Sequence, residues 1–354
     1  MVRAAKRLGR RIKENPFSRL PGDTISDILL RLPAKYVLRA GAVCKAWRSV
    51  TTEPSFLAAP ARLQPAQVVL YTYMDAGRLL HYPRMGSLLL LASCNGVLLF
   101  RKSEGCFLLC NPTTRQWAEL PQLAREVRVL RGAQYQYAFY SHQPSGEFRL
   151  LFHCRSSWFI LSTGAAEPRQ VNMLAETSLT NSLVTAPPAA LNGRLHWPPS
   201  QTTATEMPVF DTLSETFHRM VGPPTATAGM SKLFDMEGLL GAADFGDEKH
   251  IDLWFLEDYN AGRWERRHRV ATAWQPTVHR EPPRAASDLV CNVVLGSHIW
   301  FAVYNVRART ARTVNLTAPN MLMVSRHVFS ESLVRHSSFA ARSAADLGVT
   351  FSWG

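Results

Sequence analysis

The sequence predicts an α+β chain in two parts: a small three-helix module near the N-terminus, then an all-β propeller of roughly six blades. Three observations predict it. Between residues 20 and 57 apolar residues recur at helical spacing, with Ile25, Ile28, Leu29 and Leu32 following the i, i+3, i+4, i+7 rule. Beyond Pro65 that period gives way to short apolar or alternating runs separated by Gly, Pro, Asn and Ser. Strand and turn groups then return at a spacing close to the about 40–50 residues of a propeller blade.

Composition sets the frame for both parts. The chain has 354 residues, 46% hydrophobic and 19% charged, which supplies a packed core and is far from the composition of a disordered chain. Net charge is +13, and Arg3, Lys6, Arg7, Arg10, Arg11, Lys13 and Arg19 face only Glu14 in the first 19 residues. Residues 1–19 therefore read as a basic disordered tail, with a nuclear-import signal or a phosphate-binding arm as the alternatives for such a run. Cysteines at 44, 94, 106, 110, 154 and 291 form no Cys-x-x-Cys pair and no zinc spacing with histidine, so no metal, cofactor or disulfide framework is expected. Reduced thiols fit a reducing compartment, the nucleus and/or the cytoplasm. The run from Leu88 to Phe100 is interrupted by Ser93, Asn95 and Gly96 and falls short of the about 20 residues a membrane helix needs. No membrane partner is expected, and with no secretory signal the Asn315-Leu316-Thr317 sequon carries no weight.

The helical module is expected over residues 20–57. Asp23 stands where an N-cap belongs, and Pro33 ends the first helix because the residue before a proline is pushed out of α geometry. A second helix is expected from Ala34 to Val43 and a third from Cys44 to Val50. Glycine inside the second, at Ala40-Gly41-Ala42, costs about 1 kcal/mol relative to alanine and weakens that helix. The segment holds more apolar surface than three short helices bury among themselves, and a segment this small rarely stands alone without a partner. Leu20-Pro21, Asp23, Ile28-Leu29, Arg31-Leu32-Pro33, Lys35, Leu38-Arg39, Val43-Cys44-Lys45, Trp47-Arg48-Ser49, Pro54 and Phe56 agree in order and spacing with an F-box, which this module resembles through nearly its whole length. The resemblance implies docking on the Skp-type linker subunit of a cullin–RING ubiquitin ligase. The positions matching the family's docking residues are Leu20, Pro21, Ile28, Leu29, Leu32, Leu38, Val43, Cys44 and Trp47.

The all-β domain is expected over residues 65–354. Its clearest strands are Val68–Tyr73, Val97–Phe100, Phe107–Cys110, Phe148–Cys154, Trp158–Leu161, Val209–Phe210, Ile251–Leu256, Val290–Leu295 and Ile299–Tyr304. A repeat runs through them. Ser93-Cys94-Asn95-Gly96 followed by Cys110-Asn111-Pro112-Thr113-Thr114-Arg115-Gln116-Trp117 returns as Leu191-Asn192-Gly193 followed by Phe210-Asp211, Glu215-Thr216-Phe217. It returns again as Glu237-Gly238-Leu239-Leu240 followed by Leu253-Trp254, Glu257-Asp258-Tyr259 and Trp264, and Leu295-Gly296 is expected to open another unit. Asn95 to Asn192 is 97 residues and Asn192 to Gly238 is 46, so one further unit belongs around residues 133–163, and the domain's length divides into roughly six. Val68–Tyr73 is expected to close the last blade. These runs resemble the kelch-like F-box-associated domain of plant F-box proteins, most clearly over residues 90–270.

No Gly-x-Ser-x-Gly elbow, Walker loop, dinucleotide fingerprint or His-Glu-x-x-His helix occurs. Asp244, Asp247, Glu248 and His250 read as solvated loop charges, and Glu257 and Asp258, adjacent on a strand, point to opposite faces. Cys106 and Cys110 read as buried thiols rather than activated nucleophiles. Trp117, Trp197, Trp254, Trp264 and Trp300 are expected to fill space between blades. The chain is therefore expected to be a non-catalytic substrate-recognition adaptor, whose β-domain binds an unknown protein target through loops on one face, among them Ala186–Ala190, Gly222–Gly229 and Arg280–Ala286. A basic nucleic-acid-associated or free-standing scaffold is the alternative, followed by a propeller enzyme; nucleic acid is not expected as a partner.

Overall fold

The computed structural model describes residues 20–58, 67–72, 84–85, 88–103, 105–123, 137–154, 157–171, 188–199, 205–225, 231–236, 238–247, 249–271, 284–289, 292–296, 300–315 and 322–341. The basic tail lies outside the described residues. The chain divides into two compact units, residues 1–64 and 65–354.

The first unit is helical. Helix α1 (Gly22–Leu30) starts two residues earlier than Asp23 as N-cap predicts: Pro21 is its N-cap, and Asp23 falls in the first turn. Proline fixes its own φ and has no N–H to orphan, so it enters the helix without a side-chain cap, and Asp23 acts through its charge at the positive end of the helix dipole. Pro33 caps the next helix, α2 (Ala34–Ala40). That helix ends three residues before the expected Val43, and Gly41 is its C-cap rather than an interior residue, so the expected helix penalty does not arise. What Gly41 gives instead is room, because a Cβ there would stand 3.0 Å from Thr51 Oγ1 on α3 (Lys45–Thr52). A fourth short helix that the spacing did not suggest, α4 (Pro54–Ala58), follows. Ile25, Leu29, Ala34, Val37, Ala40 and Phe56 are buried. None of the helices is long and apolar enough to cross a membrane, among the described residues.

The second unit is a succession of antiparallel sheets. Strand β1 (Gln67–Thr72) is followed by the first sheet: β2 (Arg84–Met85), β3 (Leu88–Cys94), β4 (Val97–Ser103), β5 (Cys106–Asn111) and β6 (Gln116–Glu119). The second sheet holds β7 (Tyr137–His142), β8 (Glu147–Cys154), β9 (Ser157–Ser162) and β10 (Arg169–Val171), and so fills the gap left around residues 133–163. The third holds β11 (Ala189–Leu191), β12 (Arg194–His196), β13 (Glu206–Asp211) and β14 (Thr216–Val221). The fourth holds β15 (Ser231–Met236), β16 (Leu239–Asp244), β17 (His250–Asp258) and β18 (Arg263–Ala271). The fifth holds β19 (Arg284–Leu289), β20 (Asn292–Gly296), β21 (Trp300–Asn305) and β22 (Thr310–Asn315). The second to fifth are simple meanders, as are the five strands of the first given above. Leu295-Gly296 does not open a unit, as expected above; it ends the second strand of the fifth sheet, whose first strand is β19. Val290, Cys291 and Ile299 lie outside the described residues.

Two pairings close the ring. β1 pairs with β23 (Leu322–Phe329), the closure that Val68–Tyr73 predicts. Beyond it, residues 330–339 return to the first sheet and lead into β24 (Ala340–Ala341), which pairs with β6. Strands of neighbouring sheets touch, β3 with β7, β11 with β15, β15 with β19, β19 with β23 and β23 with β3. The step from second to third sheet is filled by a shared core in which Trp158 and Ile160 meet Trp197, Phe210 and Phe217. The result is a six-sheet propeller among the described residues.

The repeat has a physical basis in one turn. Asn111 Oδ1 accepts backbone N–H bonds from Thr113 and Thr114, Asp211 Oδ1 from Leu213 and Ser214, and Asp258 Oδ1 from Asn260 and Ala261. Four residues past each, and past Asn305 in the fifth sheet, the chain takes positive φ at Arg115 (56°), Glu215 (55°), Gly262 (62°) and Arg309 (54°). A short acceptor side chain that replaces backbone hydrogen bonding is what Asn and Asp supply in turns. The first turn of the repeat, Asn95-Gly96, has φ of 48° and 77°, as a two-residue hairpin requires. Gly96 is further constrained because the returning C-terminal segment crosses it: a Cβ would stand 2.2 Å from the Ser332 Cβ.

Candidate docking surface

Helical spacing in α1 puts Ile25 and Leu29 on one stripe, and that stripe is buried, with Leu29 fully so. Leu29 is thus a core residue and not, as placed here, a surface that a partner touches. Its neighbour Ile28 is 45% exposed. Leu38 on α2 and Val43 in the turn beyond it are 44% and 59% exposed. Pro21 and Cys44 are exposed; Leu20, Leu32 and Trp47 are half-buried. Of the nine residues predicted for docking, eight therefore present surface. Tyr36, absent from the prediction, is 45% exposed with Lys35 Nζ 5.2 Å from its ring centroid. Among the described residues six large hydrophobics are exposed, and four of them, Ile28, Tyr36, Leu38 and Val43, fall in this stretch of sixteen residues. Isolated exposed apolar residues are ordinary; a concentration of this kind marks an interaction surface.

The β unit uses its polar groups differently. Glu215 is reached by Arg149 Nη1 at 2.5 Å, by Arg169 and by the Tyr140 hydroxyl at 2.8 Å, so its charge is neutralised between the second and third sheets. Burial pushes the Tyr140 hydroxyl up to about 12. His196 is fully buried. Its Nδ1 lies 3.3 Å from the Ala189 carbonyl, which only accepts, so Nδ1 carries the proton and Nε2 accepts from the Tyr259 hydroxyl at 2.8 Å. Burial holds this imidazole down to about 4, neutral at physiological pH. These are inter-sheet latches with every partner supplied internally.

The remaining predicted candidates resolve into structural roles. Asp244 accepts the Gly246 N–H and Asp247 the Lys249 N–H, with His250 Nδ1 3.5 Å from Asp247; Glu248 lies outside the described residues. No group of three or more His, Cys, Asp or Glu suited to a metal occurs among the described residues. Glu257 pairs with Arg267 while Asp258 serves its turn. Cys110 is buried and Cys106 half-buried; burial raises the Cys110 thiol far above its ordinary range, the opposite of activation. Of the predicted tryptophans Trp117 and Trp197 are buried fillers, Trp254 and Trp264 are half-buried, and the side chain of Trp300 lies outside what is described; Trp158, not predicted, is buried as well. Half of the residues in the target-binding loops predicted above, 186–187, 226–229 and 280–283, lie outside the described residues.

Comparison with known proteins bears on both units. The sequence matches the F-box domain over residues 17–58 and the F-box associated beta propeller domain over residues 56–322. An F-box protein of Arabidopsis thaliana is 25% identical over 307 residues, covering 72% of this chain and 73% of its own. A putative F-box protein of the same plant is 25% identical over 280 residues, 70% of each chain. A second putative F-box protein of that plant is 48% identical over 48 residues, 14% of this chain and 12% of its own.

Proposed function

We propose that this chain, a plant F-box protein that belongs to the family carrying an F-box associated beta propeller domain, is the substrate-recognition adaptor of a Skp–cullin–F-box ubiquitin ligase. The helical unit docks on the Skp-type linker and through it joins the cullin–RING ligase; the β unit holds the protein target. The observation that carries this reading is the concentration of exposed apolar side chains at Ile28, Tyr36, Leu38 and Val43. Burying each such side chain stabilises a complex by up to about 1.5–3 kcal/mol, so a few suffice for a stable interface. Leu20, Pro21, Leu32, Cys44 and Trp47 complete the surface, and Leu29 supports it from beneath.

No bond-making group is required of the adaptor. It raises the effective concentration of the target beside a ubiquitin-loaded enzyme, and its contribution to rate is positional. The inter-sheet latches at Glu215 and His196 support that reading, because they give the rigid frame a positioning device needs. The nucleus and/or the cytoplasm is the proposed place of action, in keeping with the free thiols at Cys44, Cys94, Cys106, Cys110 and Cys154.

The test is co-purification of the full chain with the linker and a cullin, comparing wild type with an Ile28→Asp/Leu38→Asp double variant. Both positions are exposed, so the variant keeps its fold. Wild type is expected to retain the linker and the variant to lose it; equal retention would contradict the assignment of this surface.

A further inference from the structure

A second surface stands out between the fourth and fifth sheets. Strand β18 and the turn joining β21 to β22 line a cleft of about 300 Å³. Arg267, Arg269 and Arg309 stand at its exposed part, Val270 and Tyr304 at its buried part, and no carboxylate lines it among the described residues. Arg267 is held by Glu257 at 2.6 Å. Asp252 serves both Arg269, at 2.7 Å, and Arg266, at 3.1 Å, so one carboxylate is shared by two guanidiniums. Arg309 makes no ion pair among the described residues.

The repeat gives Arg309 its meaning. It holds the positive-φ position of the four-residue turn, where Gly262 stands in the fourth sheet and where an L side chain is disfavoured. Glu215 holds the same position in the third sheet, and its side chain reaches back to the second sheet to meet Arg149 and Arg169. At the step between the second and third sheets, therefore, waiting arginines receive an internal carboxylate from this turn position. At the step between the fourth and fifth sheets the waiting side chains are again arginines, but the turn supplies a third cation. The place that Glu215 fills at one step is left for a carboxylate from outside at the other. His268, whose Nδ1 lies 3.3 Å from the Tyr304 hydroxyl, is held below its ordinary value by burial and then by Arg309 and Arg267, so it adds no charge of its own at neutral pH.

Backbone geometry selects the form of the ligand. Among the described residues β18 is the outer strand of its sheet, paired only with β17, and the cleft is lined by its consecutive residues Arg267 to Ala271. A free strand edge offers alternating N–H and C=O groups to an added strand. A polynucleotide would use the charge but neither the edge nor the buried Tyr304 ring, since base stacking needs an exposed aromatic. We propose that this cleft binds an extended, carboxylate-rich peptide segment, which adds along the edge of β18 and places an acidic side chain between Arg267, Arg269 and Arg309. That the segment belongs to the ubiquitination target rests on the adaptor reading; the binding itself does not.

The test is fluorescence anisotropy with the purified full chain and a short labelled peptide alternating Asp and Thr. Its Asn-for-Asp counterpart, a version N-methylated at alternate backbone amides, and a single-stranded oligonucleotide serve as comparisons. Wild type is expected to bind the acidic peptide at least about tenfold more tightly than the Asn peptide or the N-methylated one. Arg309→Gly, which removes the guanidinium while relieving the backbone, is expected to lose about tenfold without loss of thermal stability. Equal binding of acidic and Asn peptides, or no change in Arg309→Gly, would overturn the proposal. An oligonucleotide that binds as tightly and loses affinity in the same variant would overturn the peptide assignment. No ligase subunit is present, so this result and the linker co-purification are read independently.

Discussion

The two units treat apolar surface in opposite ways. The helical unit leaves Ile28, Tyr36, Leu38 and Val43 exposed within a few dozen residues, whereas the described part of the far longer β unit exposes only Leu213 and Val221 among its large hydrophobics. Four short helices have too little interior to cover their own side chains. A ring of sheets covers both faces of every sheet but its outer edges, and it uses Trp158, Trp197, Phe210 and Phe217 to do so. The difference teaches that the helical unit is built to be completed by another protein, and the β unit to hold a fixed shape by itself.

The comparison is broken most severely at the β unit's closure. Asn111 is fully buried; its side chain donates to the carbonyls of Ser332 and Val334 and accepts from Thr113 and Thr114. Asn111→Ala removes all four hydrogen bonds and leaves buried carbonyls unmatched, so a loss of about 4 kcal/mol is expected in urea unfolding of the full chain. Next is His196. Its folded pKa, about 4, is below the ordinary 6.5. The neutral form is therefore favoured by folding, and this contribution is fully present above pH 6.5 and lost as pH falls towards 4, a change of about 3 kcal/mol. Urea melts across that window should show the decline in wild type and a flatter profile in His196→Gln. The last pair, of about equal and then smallest effect, sharpens the contrast inside the helical unit. Leu29→Ala should cost that unit about 3 kcal/mol by opening a cavity, while Ile28→Asp on the adjacent, exposed position should shift unfolding by under about 0.5 kcal/mol.

These residues also mark where the sequence was legible. Periodicity placed α1, and the Asn-Gly and Asn/Asp turn signatures placed the repeat, because both are local. The closure by β1 was readable as a strand left over at the start of the domain. β24 was not, since two alanines show no alternation and its setting depends on Asn111 reaching Ser332 from 221 residues away. Asp23 was misplaced as a cap because a side-chain acceptor is a strong signal, yet the backbone of Pro21 already set the helix entry. Ile28 and Leu29 are chemically alike and adjacent, and only packing decides that the second is core and the first surface. Tyr36 escaped for the same reason. The arginine run in β18 is visible in the sequence, but its meeting with Arg309 requires the blade geometry.

The central claim is that the exposed apolar residues of α1, α2 and the following turn are the docking surface. Its most direct test is the Kd of the full chain for the Skp-type linker, measured for wild type and for Ile28→Asp/Leu38→Asp, with thermal unfolding followed on the same samples. The account predicts unchanged unfolding and at least about 100-fold weaker binding, near 2.8 kcal/mol. Unchanged unfolding together with unchanged Kd would contradict it.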